Sequence, residues 1–397
     1  MPFASERSTN RAASVLAAVA FVAGCERSSP AATTSASSTT TAVAPEGSSS
    51  PPTDAAEEGR AGEALDVPGT IVFVSERDGK KVAYAVEPKT GRSRRLVDRA
   101  MDDYVGPASP PGNRLLLISA EDRDGGLHRE QMWTLSADGD LAKLGKPSGI
   151  VRNPSWLPDG RGVIFESNRL GFRDLFLVEL GGEDRQLTDV PQGCFEPDVH
   201  PDGKRLVYVS SAEGNADVYS RDLAGGAPRR LTWSPRDDTA PRWSPSGEHI
   251  AWISLRDGRN VAYVMNADGS KPRAIAEPTG GLRGQQDAVW SPKGDAVAFT
   301  QRHEAGYASV VAVRIGDGEV LFDSAAGGSK KGIVEEMPAF SPDGGALVFA
   351  SNREGDTELY VVMLSNGAGS PVRLTRSPGP DWLPRWLPDS FVLPGGA

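Results

Sequence analysis

The 397-residue chain holds 45 glycines, 31 prolines and 38% hydrophobic residues, enough for one large core and too rich in turn formers for a helical bundle. Its formal charge of −10, with no block of Lys or Arg, repels phosphate backbones and excludes nucleic acid as a partner. Two cysteines, one of them near the N-terminus, exclude a disulfide framework.

At the N-terminus, Arg7 and Arg11 precede an apolar run from Ala12 to Ala23, broken only by Ser14 and followed by Gly24-Cys25. The run is shorter than the roughly 20 apolar residues a bilayer span requires, so residues 1–24 read as an export signal. Val22-Ala23-Gly24-Cys25 resembles a bacterial lipobox. That resemblance implies cleavage before Cys25 and a lipid anchor on it, with a soluble secreted product as the alternative. Glu26, rather than Asp, favours an outer-membrane lipoprotein facing the periplasm, with surface exposure as the other orientation. Residues 25–66 are Ser, Thr, Ala and Pro with almost no large apolar side chains, which predicts a disordered tether. A flexible segment of that length has a root-mean-square span of about 35 Å.

From residue 67 to 394 the sequence predicts a single all-β domain written as repeats. Its clearest copy runs from Pro338 to Thr375. There Ser341-Pro342-Asp343-Gly344 suits a tight hairpin turn, because proline fixes φ at the second position and Asp and Gly accept the end of the turn. Apolar runs at Leu347-Val348-Phe349, Leu359 to Met363 and Val372 to Leu374 follow, each too short for a helix. The turn recurs with prolines at 110, 158, 201, 245, 292, 342 and 388, spaced by 48, 43, 44, 47, 50 and 46 residues. Four short strands at a period near 45 residues are the pattern of a β-propeller blade. The first unit lacks its leading arm and the last, after Trp386, lacks everything else, so the two complement each other. The expected architecture is a seven-bladed β-propeller closed by pairing of N- and C-terminal strands, with six blades as the alternative because residues 291 to 340 repeat loosely.

The units P-x-W-S-P-D-G, hydrophobic-x-F-x-S-x-R, L-Y-x-M and R-x-L-T resemble the WD40-like (PD40) repeats of the TolB family. The resemblance covers the whole repeat domain. It implies a propeller fold, and blades of this kind also occur in envelope lipoproteins and in prolyl-oligopeptidase-type peptidases. Two departures stand out: the α/β domain that precedes the propeller in TolB is replaced by the tether, and there is an acylated cysteine.

For chemistry, no G-x-S-x-G elbow is present, and His128, His200, His249 and His303 fall in different units at turn or loop positions. Scattered histidines do not converge on a metal or an acid–base pair, so no catalytic residue, metal or cofactor is expected. Seven residues before the turn prolines stand Asp103, Val151, Cys194, Asp238, Gln285, Glu335 and Asp381, with Glu196 and Asp287 two residues further on. If the arm before the turn is the innermost strand, Asp103, Glu196, Asp238, Asp287, Glu335 and Asp381 ring one mouth of the central channel and favour a cation or a basic peptide. The competing reading is that Asp and Glu simply suit loop-to-strand junctions. Trp156, Trp243, Trp290 and Trp386 occupy one repeat position and read as packing between blades, and Ser-x-Arg triplets such as Ser351-Asn352-Arg353 read as loop-fixing hydrogen bonders. The functional expectation is a membrane-anchored, non-enzymatic module binding an envelope protein or peptide. The alternative is a carbohydrate-active or lyase-type propeller enzyme with its site in the channel.

Overall fold

The computed structural model describes residues 64–99, 101–110, 112–123, 127–276, 281–326, 328, 331–364, 369–391 and 393. The predicted leader, Cys25 and nearly all of the tether lie outside the described residues. Contacts divide the chain into residues 1–58 and 59–397, and everything described below belongs to the second unit. Among the described residues every regular element is a strand, and no helix is long and apolar enough to cross a membrane.

The strands fall into repeating groups. The chain begins with β1 (Thr70–Ser75), β2 (Val82–Glu87) and β3 (Arg92–Arg95). Next come β4 (Asp102–Ala108), β5 (Arg114–Arg123), β6 (Leu127–Ser136) and β7 (Leu141–Ser148). The third group is β8 (Val151–Trp156), β9 (Gly162–Ser167), β10 (Asp174–Glu179) and β11 (Arg185–Gln186). The fourth is β12 (Cys194–Val199), β13 (Arg205–Ser210), β14 (Asp217–Asp222) and β15 (Arg229–Arg230). The fifth is β16 (Asp238–Trp243), β17 (His249–Arg256), β18 (Arg259–Asn266) and β19 (Arg273–Ala274). The sixth is β20 (Leu282–Trp290), β21 (Ala296–His303), β22 (Ala308–Arg314) and β23 (Val320–Asp323). The last are β24 (Glu335–Phe340), β25 (Ala346–Ser351), β26 (Glu358–Met363) and β27 (Val372–Arg373), then β28 (Asp381–Leu387) alone.

Hydrogen bonds join them into six sheets, five of four strands and one of eight. The eight-stranded sheet is the fifth and sixth groups linked by a parallel pairing at Asn260 and Gly284. Strand β28 adds antiparallel to β1, pairing Trp386 with Ile71 and Asp381 with Ser75. The Trp386 indole donates to the Pro68 carbonyl at 2.8 Å beside this seam.

The turns behave as their residues dictate. In Ser341-Pro342-Asp343-Gly344 the Gly344 amide donates to the Ser341 carbonyl at 2.9 Å, and Gly344 takes a φ of 76°, open to glycine without strain. The same bond closes the turns at Gly112, Gly160, Gly203, Gly247 and Gly294.

Burial is greatest between consecutive groups. Phe165, Tyr208, Trp252, Phe299 and Phe349 occupy the middle of the second strand of their groups, Phe73 the same place in β1, which β28 precedes in its sheet, and all six are almost wholly buried. One apolar cluster joins Ile71 and Phe73 of β1 to Val348 and Ala350 of β25, so the first and last groups share a core as the intermediate groups do. Each such aromatic side chain contributes about 1.5–3 kcal/mol by leaving water.

The innermost strands share an irregularity. Their register with the next strand slips between Arg152 and Ser155, Phe195 and Asp198, Thr239 and Arg242, Gln286 and Val289, and Glu336 and Ala339. At each slip one residue is left-handed: Asn153, Glu196, Ala240, Asp287 and Met337, with Leu383 their counterpart in β28. Pro154, Pro197, Pro241, Pro338 and Pro384 follow five of these six. Proline supplies no amide for the ladder, so the strand bulges there and re-aims its side chains.

Candidate functional site

Four of the six acids expected at the channel mouth are internal. Asp103, Asp238, Glu335 and Asp381 are at most 4% exposed. Each is ladder-paired with a serine, respectively Ser119, Ser254, Ser351 and Ser75. Ser119 donates to Asp103 at 2.6 Å and Ser351 to Glu335 at 3.0 Å. Arg77 pairs with Asp381 at 3.0 Å, Arg353 binds Glu335 through Nε at 2.9 Å, and Arg99 pairs with Asp103. At Asp381 and Glu335 the Ser-x-Arg triplet and the acid are thus two halves of one clamp. The arginine also lies over the cross-strand aromatic pair of its group, as Arg353 does 4.7 Å from the Tyr360 ring and Arg77 4.3 Å from the Tyr84 ring. Asp103, Glu335 and Asp381 meet an arginine inside the sheets and Asp238 accepts from Ser254, so these four buried carboxylates form no open acidic rim. Burial holds the Asp381 carboxyl up near 6 despite Arg77.

Glu196 and Asp287 stand apart from this pattern, because they occupy the left-handed bulge positions. The Glu196 carboxylate accepts from the Ala240 amide at 2.6 Å, and Asp287 accepts from Gln286 Nε2 at 3.0 Å and Thr300 Oγ1 at 3.4 Å. Next to them on the inner strands lie Asp198, Arg242, Glu336 and Arg385. Asp198 accepts from the Trp243 amide at 2.8 Å and from Ser155 Oγ at 3.2 Å. Glu336 accepts from Arg302 at 2.7 Å. Burial raises the carboxyl pKa of Glu196, Asp198, Asp287 and Glu336 alike.

Arg385 feels both Asp287 of β20 and Arg242 of β16, although β28, β20 and β16 belong to different groups. Burial lowers the Arg385 pKa, and the like charge of Arg242 lowers it further. Sequence reasoning misses Arg242 and Arg385. Both stand three residues before a turn proline, where the other units carry Pro107, Ser155, Asp198, Val289 and Ala339, and that alternation is the signal.

The remaining candidates also find places. His200 is not a surface turn residue: it is 6% exposed, its Nδ1 accepts from the Asp202 amide at 3.0 Å, and its Nε2 donates to the Gly247 carbonyl at 3.1 Å. The ring is wedged against Trp243, 4.6 Å between centroids, because the turns of neighbouring groups pack together. Cys194 is fully buried, and burial pushes its thiol up, away from the reactive thiolate. In the sixth group the clamp residues are replaced by Gln285, Gln301 and His303, and a cavity of about 150 Å³ opens beside Tyr307, Ser309 and Ser324. Among the described residues no three His, Cys, Asp or Glu side chains converge to hold a metal.

Stacked four-stranded antiparallel repeats define the protein as an all-β propeller. Residues 174–329 match the PD40 family, the TolB beta propeller domain. It is similar to the Protein TolB homolog of Chlorobium luteolum, 30% identical over 154 residues, 38% of this chain and 34% of that one. It is also similar to the uncharacterized protein Atu1656 of Agrobacterium fabrum, 27% identical over 161 residues, 39% of this chain and 52% of that one. The chain thus spans about half the length, or less, of these curated relatives. Among solved structures, an oligogalacturonate lyase from Vibrio parahaemolyticus aligns with a TM-score of 0.53 and 16% identity over 79% of this chain and 86% of that one. A prolyl endopeptidase aligns with a TM-score of 0.58 and 15% identity over 81% of this chain and 51% of that one.

These neighbours correct the expectation that the chain is not an enzyme. The fold is shared with a lyase and with peptidases, and a 67-residue stretch is 45% identical to the uncharacterized peptidase YuxL of Bacillus subtilis, covering 10% of it.

Proposed function

We propose that the chain forms a seven-bladed propeller, closed by β28 on β1, that binds a protein or peptide at the bacterial cell envelope while anchored through lipid on Cys25. The pairing of β28 with β1 and the core shared by β1 and β25 support the ring. The TolB homologues support the envelope as its location.

The observation that carries the binding reading is a set of exposed apolar side chains at one end of the groups. Leu170 and Phe172, between β9 and β10, are 64% and 59% exposed, and Trp233, between β15 and β16, is 68% exposed. Both segments lie at the end where the inner strands begin, since the Cys194 amide that opens β12 donates to the Arg173 carbonyl and the Asp238 amide that opens β16 donates to the Ala216 carbonyl. Large apolar and aromatic side chains left in water on rigidly held loops are the usual core of a protein-binding surface.

The test is affinity capture from envelopes with the wild-type chain, Phe172→Ser with Trp233→Ser, and Cys25→Ser. The reading expects the double variant to keep its melting temperature and lose the captured partner, and Cys25→Ser to leave the membrane fraction. Unchanged capture by the double variant would contradict the binding surface, and membrane retention of Cys25→Ser would contradict the anchor. Turnover of oligogalacturonate or peptide substrates by the same purified chain would replace the binding reading with a catalytic one.

A further inference from the structure

We propose that the cavity where the sixth group meets the seventh binds one ring of a neutral sugar through a pair of adjacent hydroxyls. The site involves only the strands and turns of these two groups, so it goes beyond the protein-binding reading and does not depend on closure of the ring.

The repeat explains why space opens there. In the third, fourth and seventh groups the third strand begins with an acid, Asp174, Asp217 or Glu358, that accepts from the hydroxyl of Thr188, Thr232 or Thr375. Each threonine oxygen in turn accepts an amide of that strand, from Leu175, Val218 or Leu359. In the sixth group Ser324 takes the threonine's place and accepts from the Val310 amide at 2.9 Å, but Ser309 stands where the acid would be. Ser309 is hydrogen-bonded to His303 Nε2 at 3.1 Å, and His303 in turn holds the place of the arginine in Ser-x-Arg. Both replacements are shorter than what they replace, and the cavity of about 150 Å³ lies beside them.

The polar groups on the cavity wall have capacity left over. Glu335 is 4% exposed, and its three hydrogen bonds, from Ser351 Oγ and from Nε and Nη2 of Arg353, all fall on Oε1. Among the described residues nothing donates to its Oε2, and nothing accepts from Nη1 of Arg353. The Ser324 hydroxyl lacks the carboxylate to which its counterparts donate. The Tyr307 hydroxyl has no partner among the described residues, while its ring stacks on His303 at 4.0 Å. An unmet acceptor beside unmet donors is the demand a hydroxyl answers, since it donates and accepts at once. Glu335 and Arg353 touch, so adjacent hydroxyls of one ring can reach both. Charge narrows the choice further, because the two residues already neutralise each other. An anion would meet the unpartnered carboxylate oxygen, a cation the guanidinium, and a zwitterion would give up strong hydration for groups already compensated. Neutral hydroxyls lose least, and a cavity of this volume admits a molecule about the size of one six-membered ring.

Two sources carry this chemistry, a free monosaccharide and the end of a glycan. Calorimetry on the full chain separates them with the methyl glycosides of glucose, galactose, mannose and N-acetylglucosamine, a trisaccharide of each sugar, and cyclohexanol and glycine as controls. Binding of a methyl glycoside, with both controls inert, supports the site. A trisaccharide of that sugar that binds at least as well assigns it to the end of a glycan, and one that is excluded assigns it to a free sugar. Tyr307→Phe weakens the glycoside by about threefold to tenfold, the loss of one neutral hydrogen bond. Ala325→Leu, at a half-buried position on the cavity wall, fills the space and abolishes binding while the melting temperature stays that of the wild type. No binding of any glycoside, equal binding of cyclohexanol, binding of glycine alone, or affinity unchanged in either variant would overturn the proposal. Partner capture through Phe172 and Trp233 is unaffected by either variant, so failure of this site and failure of the protein-binding reading are told apart.

Discussion

The guanidinium of Arg77 donates to the carboxylate of Asp381 at 3.0 Å, although 304 residues separate them in sequence. Arg77 follows β1 and Asp381 opens β28, so this ion pair fastens the seam between the two ends of the repeat domain. Asp381 is fully buried. Removing its partner leaves an uncompensated internal charge, so Arg77→Ala is expected to destabilise the chain by about 3–5 kcal/mol. Arg77→Ala with Asp381→Asn should recover part of that loss, and a double-mutant cycle in denaturant measures the coupling. Independent effects of the two substitutions would show that the seam does not depend on this pair.

Gly247 is the second sensitive point. A Cβ there would stand 2.2 Å from Nε2 of His200, and the residue has a φ of 73°. Gly247→Ala is expected to lower stability by more than about 1 kcal/mol, since an unsuitable φ and a steric clash act together. His200→Ala in the same chain should relieve the clash and leave only the backbone strain. Thermal unfolding of both variants measures this, and no rescue would mean that the turns of neighbouring groups do not meet through His200.

Stability should rise on mild acidification. Burial raises the carboxyl pKa of Asp103, Asp198, Asp238, Asp287 and Glu336, and holds Asp381 near 6. A carboxyl raised on folding binds its proton more tightly in the folded state. Its contribution is complete below the ordinary carboxylate range of about 4 and is lost as the pH climbs through the folded value. Asp159 and Asp268 are shifted the other way by local hydrogen bonds, but they lie in solvent where such pairs count for little. Calorimetry should therefore give a higher melting temperature at pH 5 than at pH 7.5, with a shallower slope in Asp287→Asn. A melting temperature that falls over this interval would contradict the assignment.

Much of the fold can be read from the residues, because turn chemistry is local. Proline and glycine in Ser341-Pro342-Asp343-Gly344 dictate their backbone angles wherever they occur, and Trp156 and Trp290 indoles do reach across to the carbonyls of Pro107 and Arg242 in the preceding groups. The site is less legible, because it depends on contacts between segments. Asp238 in sequence looks like a solvated loop residue and Ser254 like part of a separate triplet, yet they are 16 positions apart and hydrogen-bonded across a buried ladder. His200 sits in a polar turn, and only the packing of one turn on the next buries it. Arg242 and Arg385 vary where the repeat varies, so a search for what recurs passes over them. The left-handed bulge that sends Glu196 and Asp287 inward is signalled by the proline or alanine that follows, a mark visible in hindsight at each inner strand.

Ring closure is tested most directly by a disulfide across the seam. Thr70 and Leu387 are cross-strand partners in the β1–β28 ladder, and the native Cys194 is buried away from solvent. In Thr70→Cys with Leu387→Cys, mild oxidation should form an intramolecular bridge in nearly all of the monomeric protein and raise its melting temperature. A chain that stays reduced, or that crosslinks only between molecules, would show that the last strand does not complete the first sheet.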